Sequence, residues 1–138
     1  MSVKRVLGLV VIGFIVMLVA CGGKYSDLVK VNTEFVNAMD EYVTGMGKAS
    51  SGKEMAKVIN RYADKMEKLA PRLKEMRDKY PELKKTKTVP EELKPIEEKA
   101  QALQQKMAAS FMNMMKYMGD PDVQAAQQRL QTAMMGMK

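Results

Sequence analysis

Residues 55–80, MAKVINRYADKMEKLAPRLKEMRDKY, decide the fold of this chain of 138 residues. Its apolar side chains follow one another at alternating steps of four and three residues. Such steps place them on one face of an α-helix, because the helix turns once in about 3.6 residues. We therefore predict a long amphipathic helix that buries this face. The side chains on the face are Met55, Ile59, Tyr62, Met66, Leu69, Leu73, Met76 and Tyr80.

Three further segments repeat this spacing. The first has Leu28, Val31, Phe35, Met39, Tyr42 and Met46 on its apolar face. The third has Leu93, Ile96, Ala100, Leu103, Met107, Ser110, Met114 and Tyr117. The last has Val123, Ala126, Leu130, Ala133 and Met137. No segment after residue 21 alternates apolar and polar residues as a strand would, so the predicted fold class is all-α.

Helix start signals divide this pattern into four helices. Capping boxes, in which glutamate follows serine or threonine by three residues, stand at Ser51 and Thr88. Asp120, followed by Pro121, opens the last helix. Short connections favour antiparallel neighbours, so we predict an up-down-up-down four-helix bundle over residues 26–138. The predicted helices cover about residues 26–46, 52–80, 89–118 and 120–137.

Two prolines fall inside the predicted helices, Pro71 in the second and Pro95 in the third. Each removes a backbone hydrogen bond and bends its helix. If the connection turns near residue 84 or 85, the two prolines lie within about one helical turn of each other, and we predict one shared bend. The alternative is that the third helix begins later and places Pro95 in its first turn.

The first twenty residues have the pattern of an export signal. Lys4 and Arg5 precede Val6–Ala20, a run of fifteen residues without a charged or hydrogen-bonding side chain. A membrane-spanning helix needs about 20 apolar residues, whereas the apolar part of a secretory signal has roughly 7–15 and ends near a small residue. We therefore predict a cleaved signal peptide over residues 1–20.

The end of this signal, Leu18-Val19-Ala20-Cys21, resembles the lipobox of bacterial lipoproteins: leucine stands three residues before the cysteine and a small residue directly before it. The resemblance implies that Cys21 carries a diacylglyceryl group, that the chain is cut after Ala20, and that the new amino terminus is acylated, with residues 21–25 as a short leader. By resemblance to lipoproteins of Gram-negative bacteria, an aspartate after the cysteine would favour inner-membrane retention, so Gly22 favours the periplasmic side of the outer membrane. The alternative is an ordinary cysteine after an uncleaved membrane helix.

The basic character of the chain favours a membrane surface. Its net charge is +7, and loss of Lys4 and Arg5 with the signal would leave +5. We expect no nucleic-acid partner, because an exported protein rarely meets nucleic acid. Positive charge is densest between the second and third helices, and an up-down bundle returns this connection to the anchored end. We therefore predict that a set of lysines contacts lipid headgroups or another anionic envelope polymer, the alternative being a loop that contacts only water. The set is Lys79, Lys84, Lys85 and Lys87.

Methionine is the second unusual feature, with 15 in the chain. We predict a cluster at the membrane-distal end, and its candidate site consists of Met112, Met114, Met115 and Met118. Three interpretations are open. Methionine fills irregular core gaps, it forms adaptable docking surfaces for protein partners, and its thioether suits Cu(I).

Catalysis has little support from the residues. The chain has no histidine, and its only cysteine is the predicted lipid attachment point, which removes the usual nucleophile and base pairs, histidine-ligated zinc and covalent haem. We therefore predict a non-enzymatic, lipid-anchored envelope protein that acts as a binding, adaptor or scaffold module for an envelope protein partner. We predict no cofactor beyond the covalent lipid. The alternative function is Cu(I) binding or sequestration.

Overall fold

The computed structural model describes residues 23–137 and places four α-helices in them. No strand occurs within this range, so the prediction of an all-α chain with four helices is confirmed. Two short 3₁₀ helices, Pro81–Lys84 and Glu91–Leu93, lie between the second and third α-helices. The α-helices are α1 (Ser26–Lys48), α2 (Gly52–Lys79), α3 (Lys94–Met115) and α4 (Pro121–Met135).

The apolar face of α2 forms the centre of the core. Seven of its eight predicted side chains are buried, and Leu73 is half-buried. Tyr62 stacks on Tyr42 of α1, with ring centroids 4.4 Å apart. Full burial of an apolar side chain contributes about 1.5–3 kcal/mol, so this face alone supplies a large part of the fold's stability. The stacked tyrosines lie where α1 and α2 pack as an antiparallel hairpin.

α3 packs against α1 and runs parallel to it. Ser110 Oγ donates a hydrogen bond to the backbone oxygen of Val43 at 2.8 Å, and Asn113 Nδ2 donates to that of Met46 at 2.7 Å. Residue numbers therefore rise together along both helices. Ser110 is buried in a face otherwise made of apolar residues, and the Val43 carbonyl satisfies its hydroxyl.

α4 packs against α2, again in a parallel direction, and small residues allow the two backbones to approach closely. Ala63 of α2 and Ala133 of α4 belong to one buried cluster. A Cβ atom added at Gly52 would lie 1.9 Å from Oδ2 of Asp120, so any larger residue there would displace the Asp120 side chain. Arg129 pairs with acidic side chains of α2 at the exposed edge of this contact.

The helices therefore pack side by side in the order α3, α1, α2, α4. Within residues 23–137, no comparable packing joins α2 to α3 or α3 to α4. We expected each helix to pack on the next one in the chain, but among the three consecutive pairs only α1 and α2 do so extensively. The connection over residues 80–93 is long enough to carry α3 to the other side of α1.

The third helix begins later than predicted. α3 starts at Lys94, and the preceding 3₁₀ helix follows Pro90 without a side-chain cap, so Thr88 does not open a helix as expected. Pro95 lies in the first turn of α3, where its missing N–H breaks no intrahelical bond. The predicted shared bend is therefore wrong, and Pro71 alone of the two lies inside a helix.

Two other predicted helix starts are confirmed by their caps. Ser51 Oγ accepts a hydrogen bond from the backbone nitrogen of Glu54 at 3.2 Å. Asp120 accepts one from the backbone nitrogen of Asp122 at 2.8 Å, and Pro121 occupies the first position of α4. Each cap satisfies a donor that the helix itself leaves unpaired.

Candidate membrane-facing end and methionine surface

The start of the described chain is fastened to the connection between α2 and α3. Tyr80 Oη donates a hydrogen bond to the backbone oxygen of Lys24 at 3.0 Å, and Lys24 Nζ pairs with Glu82 at 2.9 Å. Asp27 pairs with Lys79 and accepts a hydrogen bond from the Tyr80 hydroxyl. These contacts place both segments at one end of the molecule. We call it the basic end, defined as residues 23–27 and 79–93.

The four lysines predicted to contact a membrane differ in their surroundings. Lys79 pairs with Asp27, which locally neutralises its charge. Lys84, Lys85 and Lys87 are exposed, and their side chains make no ion pair or hydrogen bond with another described residue. The structure therefore leaves three of the four lysines open to an anionic surface.

The predicted lipid attachment site, Cys21, lies outside the described residues, as does the signal peptide. Acylation of Cys21 therefore stays a prediction. Over residues 23–137, no helix combines the length and the apolar character that crossing a membrane requires.

Asp27 is the carboxylate that holds the basic end together. Hydrogen bonds from Lys79 and Tyr80 stabilise its ionised form and lower its pKa from 3.8 to about 2. The same pairing raises the pKa of Lys79. The pKa of Glu82 is lowered as well, chiefly by the hydrogen bond from Lys24. The charged forms of these groups therefore favour the folded arrangement at neutral pH.

Acidification is expected to destabilise the basic end through Asp27. A group with a lowered folded pKa stabilises the fold above its unfolded pKa, near 3.8, and this contribution is lost as the pH falls toward about 2. Asp27→Asn cannot titrate, so the wild-type chain should lose more stability than the variant between about pH 5 and pH 2. Urea unfolding midpoints at pH 7 and at pH 3 measure the difference. An equal fall in both proteins would contradict the assignment, because all other carboxylates are shared.

The four methionines of the candidate site face two directions. Met114 is buried in a core cluster that includes Met55, and Met118 packs against the same cluster. Met112 is 68% exposed and Met115 is 50% exposed. Core filling therefore accounts for the first two methionines and leaves the other two on the surface.

One glutamine joins the two inward methionines. Gln127 Nε2 lies 3.1 Å from the sulfur of Met118 and 3.6 Å from that of Met114. These two thioethers share the Gln127 amide as a neighbour, while Met112 and Met115 are exposed. The structure thus brings together half of the predicted soft-metal ligands, and Cu(I) binding stays a prediction.

A cleft beside α4, which sequence reasoning missed, has a volume of about 590 Å³. The only sequence signal for it is the methionine-rich stretch at residues 134–137, which helical spacing alone assigns partly to the core. We call it the α4 cleft. Its lining residues are Tyr42, Arg77, Met114, Gln127, Leu130, Gln131, Met134, Met135 and Met137.

Residues 23–137 contain no cluster of three or more histidine, cysteine, aspartate or glutamate side chains placed to hold a metal ion. Comparison of the chain with protein-family models, with curated proteins and with solved structures finds no match. The features of the described residues that bear on function are therefore the basic end, the exposed methionines and the α4 cleft.

Proposed function

We propose that this chain is a lipid-anchored protein of the bacterial envelope that works by binding and not by catalysis. In this proposal, acylated Cys21 holds an up-down-up-down helical module on the membrane with its basic end toward the headgroups. The methionine-rich end faces away, toward an envelope protein partner. The proposed location is the periplasmic side of the outer membrane of a Gram-negative cell.

The attachment of residues 24–27 to residues 79–82 is the observation that carries this proposal. Because an extended chain spans at most about 3.6 Å per residue, Cys21 can lie no more than about 7 Å from Gly23. A lipid on Cys21 would therefore bring the three exposed lysines close to the bilayer. Each basic side chain near an anionic membrane contributes about 1 kcal/mol to binding.

Exposed apolar side chains on α3 support the partner-binding part of the proposal. Phe111, Met112 and Met115 fall within five residues, and each is about half exposed or more. Grouping of this kind is less usual than single exposed apolar residues, and grouped apolar surfaces mark interaction sites. Methionine-rich surfaces adapt to a partner's shape, so the fitting partner is the apolar face of a helix.

Charge reversal of the lysines tests the orientation. Replacing Lys84, Lys85 and Lys87 by glutamate in an unacylated form, residues 21–138 with Cys21→Ser, should weaken binding to anionic vesicles. Loss of about 1 kcal/mol per lysine corresponds to a decrease of about a hundredfold. Vesicle sedimentation at low and high salt measures the partition, and high salt should reduce wild-type binding because it screens the charges.

A matched reversal at the other end of α2 provides the control. Lys48, Lys53 and Lys57 are exposed there, and their replacement by glutamate changes the net charge equally. This variant should retain most of the vesicle binding. If both triple variants lose binding equally, net charge alone accounts for it. If neither loses binding and salt has no effect, the basic end does not contact the membrane.

A further inference from the structure

Four exposed methionines distinguish the surfaces of α3 and α4. Met112, Met115, Met134 and Met135 are 68%, 50%, 37% and 55% exposed. The other methionines of residues 23–137 are buried or half-buried, and so is every leucine, isoleucine and valine in that range. Phe111 is the one other large apolar side chain of this range that is exposed. Exposure therefore separates methionine from the other aliphatic residues of this chain.

The thioether sulfur separates methionine from leucine chemically. A two-electron oxidant such as hydrogen peroxide converts it to a sulfoxide, and reductases, one for each sulfoxide epimer, restore it. The sulfur lone pair forms a bond to one peroxide oxygen, the O–O bond breaks, and the second oxygen leaves as water with both protons. The sulfur loses two electrons and the peroxide gains them. The chain has no histidine or tryptophan, and its one cysteine is the proposed lipid attachment point, so methionine is its main target for such an oxidant.

The position of the sulfur decides what oxidation does to the fold. A sulfoxide on Met112 or Met115 adds its polar oxygen at the surface, where water can bind it. Met55 and Met66 have no exposed surface, so a sulfoxide on either would place this oxygen in the core without a hydrogen-bond partner. Oxidation of the exposed methionines therefore leaves the core packing intact, whereas oxidation of the buried ones disrupts it.

The exposed sulfurs also have free lone pairs. Met112 and Met115 lie in the last turn of α3, and their sulfurs accept no hydrogen bond from another described residue. The same holds for the exposed pair in the last turn of α4. The inward Met114 and Met118 differ, since the amide of Gln127 lies against both of their sulfurs. The four exposed sulfurs are therefore the ones best placed to react.

We propose that Met112, Met115, Met134 and Met135 form a reversible oxidant sink, a set of surface sulfurs that consumes two-electron oxidants of the peroxide class before they reach the core. Each site takes up one oxygen atom and leaves the fold intact. A sulfoxide reductase then restores the thioether, and a dithiol supplies the two electrons, becomes a disulfide and releases the oxygen as water. The sink needs neither the lipid anchor nor a protein partner, so its test is independent of the proposed function.

Limited oxidation tests the sink. The full chain with Cys21→Ser, which removes the only thiol, is placed in phosphatidylcholine nanodiscs and treated with one molecule of hydrogen peroxide per exposed methionine. Mass spectrometry of its peptides should find sulfoxide first at these four residues. Their initial rates should exceed those of Met55 and Met66 by more than about tenfold, because an oxidant reaches a buried sulfur only when the structure opens. Sulfoxide reductases with dithiothreitol should then remove the added oxygen.

Replacing the four exposed methionines by leucine tests whether they protect the core. This quadruple variant keeps the apolar side chains but lacks the exposed sulfurs, so the same dose of peroxide is left for the other methionines. Hydrogen exchange in peptides spanning residues 55–66 should then become about tenfold faster, since a buried polar group without a partner destabilises by that order. The wild-type sulfurs should prevent this change. The matched control replaces four half-buried methionines and should behave like the wild type: Met39→Leu, Met107→Leu, Met118→Leu and Met137→Leu.

Four results would overturn the proposal. The first two are sulfoxide at Met55 or Met66 as early as at Met112, and sulfoxide that the reductases fail to remove. The third is equal acceleration of exchange in the two quadruple variants, which would show that the exposed sulfurs protect nothing. The fourth is faster exchange in the treated wild-type chain, which would show that surface oxidation itself disrupts the fold. Exchange before treatment checks that each variant is folded, and the order of oxidation in the wild-type chain needs no variant.

Discussion

Replacing Ile59 by alanine is expected to lower the free energy of unfolding by about 2–5 kcal/mol. Ile59 has no exposed surface and packs in the cluster that joins α1, α2, α3 and α4. Truncation removes apolar burial and leaves a cavity, and surrounding side chains from four helices cannot all move to fill it. A domain of this size is stable by about 5–15 kcal/mol, so the loss is a large fraction of the total. Equilibrium unfolding in urea, followed by circular dichroism, gives the difference.

Two further substitutions calibrate this result. Ile59→Val removes a single methylene group and should cost about 0.5–1.5 kcal/mol. Met112→Ala truncates a side chain that is 68% exposed, and should change stability by no more than about 0.5 kcal/mol. If Ile59→Ala lowers the free energy of unfolding no more than Met112→Ala does, Ile59 does not pack in a core that the four helices share.

Replacing Cys21 by serine is expected to abolish lipid attachment and signal cleavage together. The proposed thioether forms on the Cys21 sulfur, and the lipobox resemblance implies that the chain is cut directly before this residue. An anchor of two or more acyl chains holds firmly, at about 0.8 kcal/mol per buried methylene, so the effect is close to all-or-none. Incorporation of a radiolabelled fatty acid, together with the size of the chain on a gel, reports both steps.

Gly22→Ser is the matched control for this substitution. It adds a hydroxyl group at the neighbouring position and retains the thiol, so labelling and cleavage should continue. Label that persists in Cys21→Ser would show that another group carries the lipid, and the proposed orientation of the basic end would lose its support.

Much of the fold could be predicted because burial leaves a local pattern in the sequence. The spacing from Met55 to Tyr80 predicts which face of α2 is buried, and that face is buried. The same spacing does not say which helix covers this face, because the apolar face of any other helix could pack against it. The parallel contact of α3 with α1 depends on hydrogen bonds such as that from Ser110 to Val43, which join distant residues without a sequence signal.

The candidate sites were predictable to different degrees. Tyr80 and Glu82, which shortly precede Lys84, contact Lys24 at the start of the described chain, and membrane contact of Lys84 stays a prediction. Met112 falls outside the predicted apolar face and is exposed. The α4 cleft was not predictable, because it depends on α3 and α4 not packing extensively on each other, and helical periodicity does not say which helices pack together.

The side-by-side helix order also affects how the chain folds. Only α1 and α2 form a hairpin from neighbouring segments, whereas the bond between Ser110 and Val43 spans 67 residues and that between Arg129 and Asp64 spans 65. Bringing such distant residues together costs chain entropy before any contact compensates for it, and folding slows as the mean sequence separation of contacts rises. Such contacts raise the mean sequence separation above that of a bundle in which each helix packs mainly on the next. We expect the α1–α2 hairpin to form first, because its contacts join neighbouring segments, and α3 and α4 to dock on it afterwards.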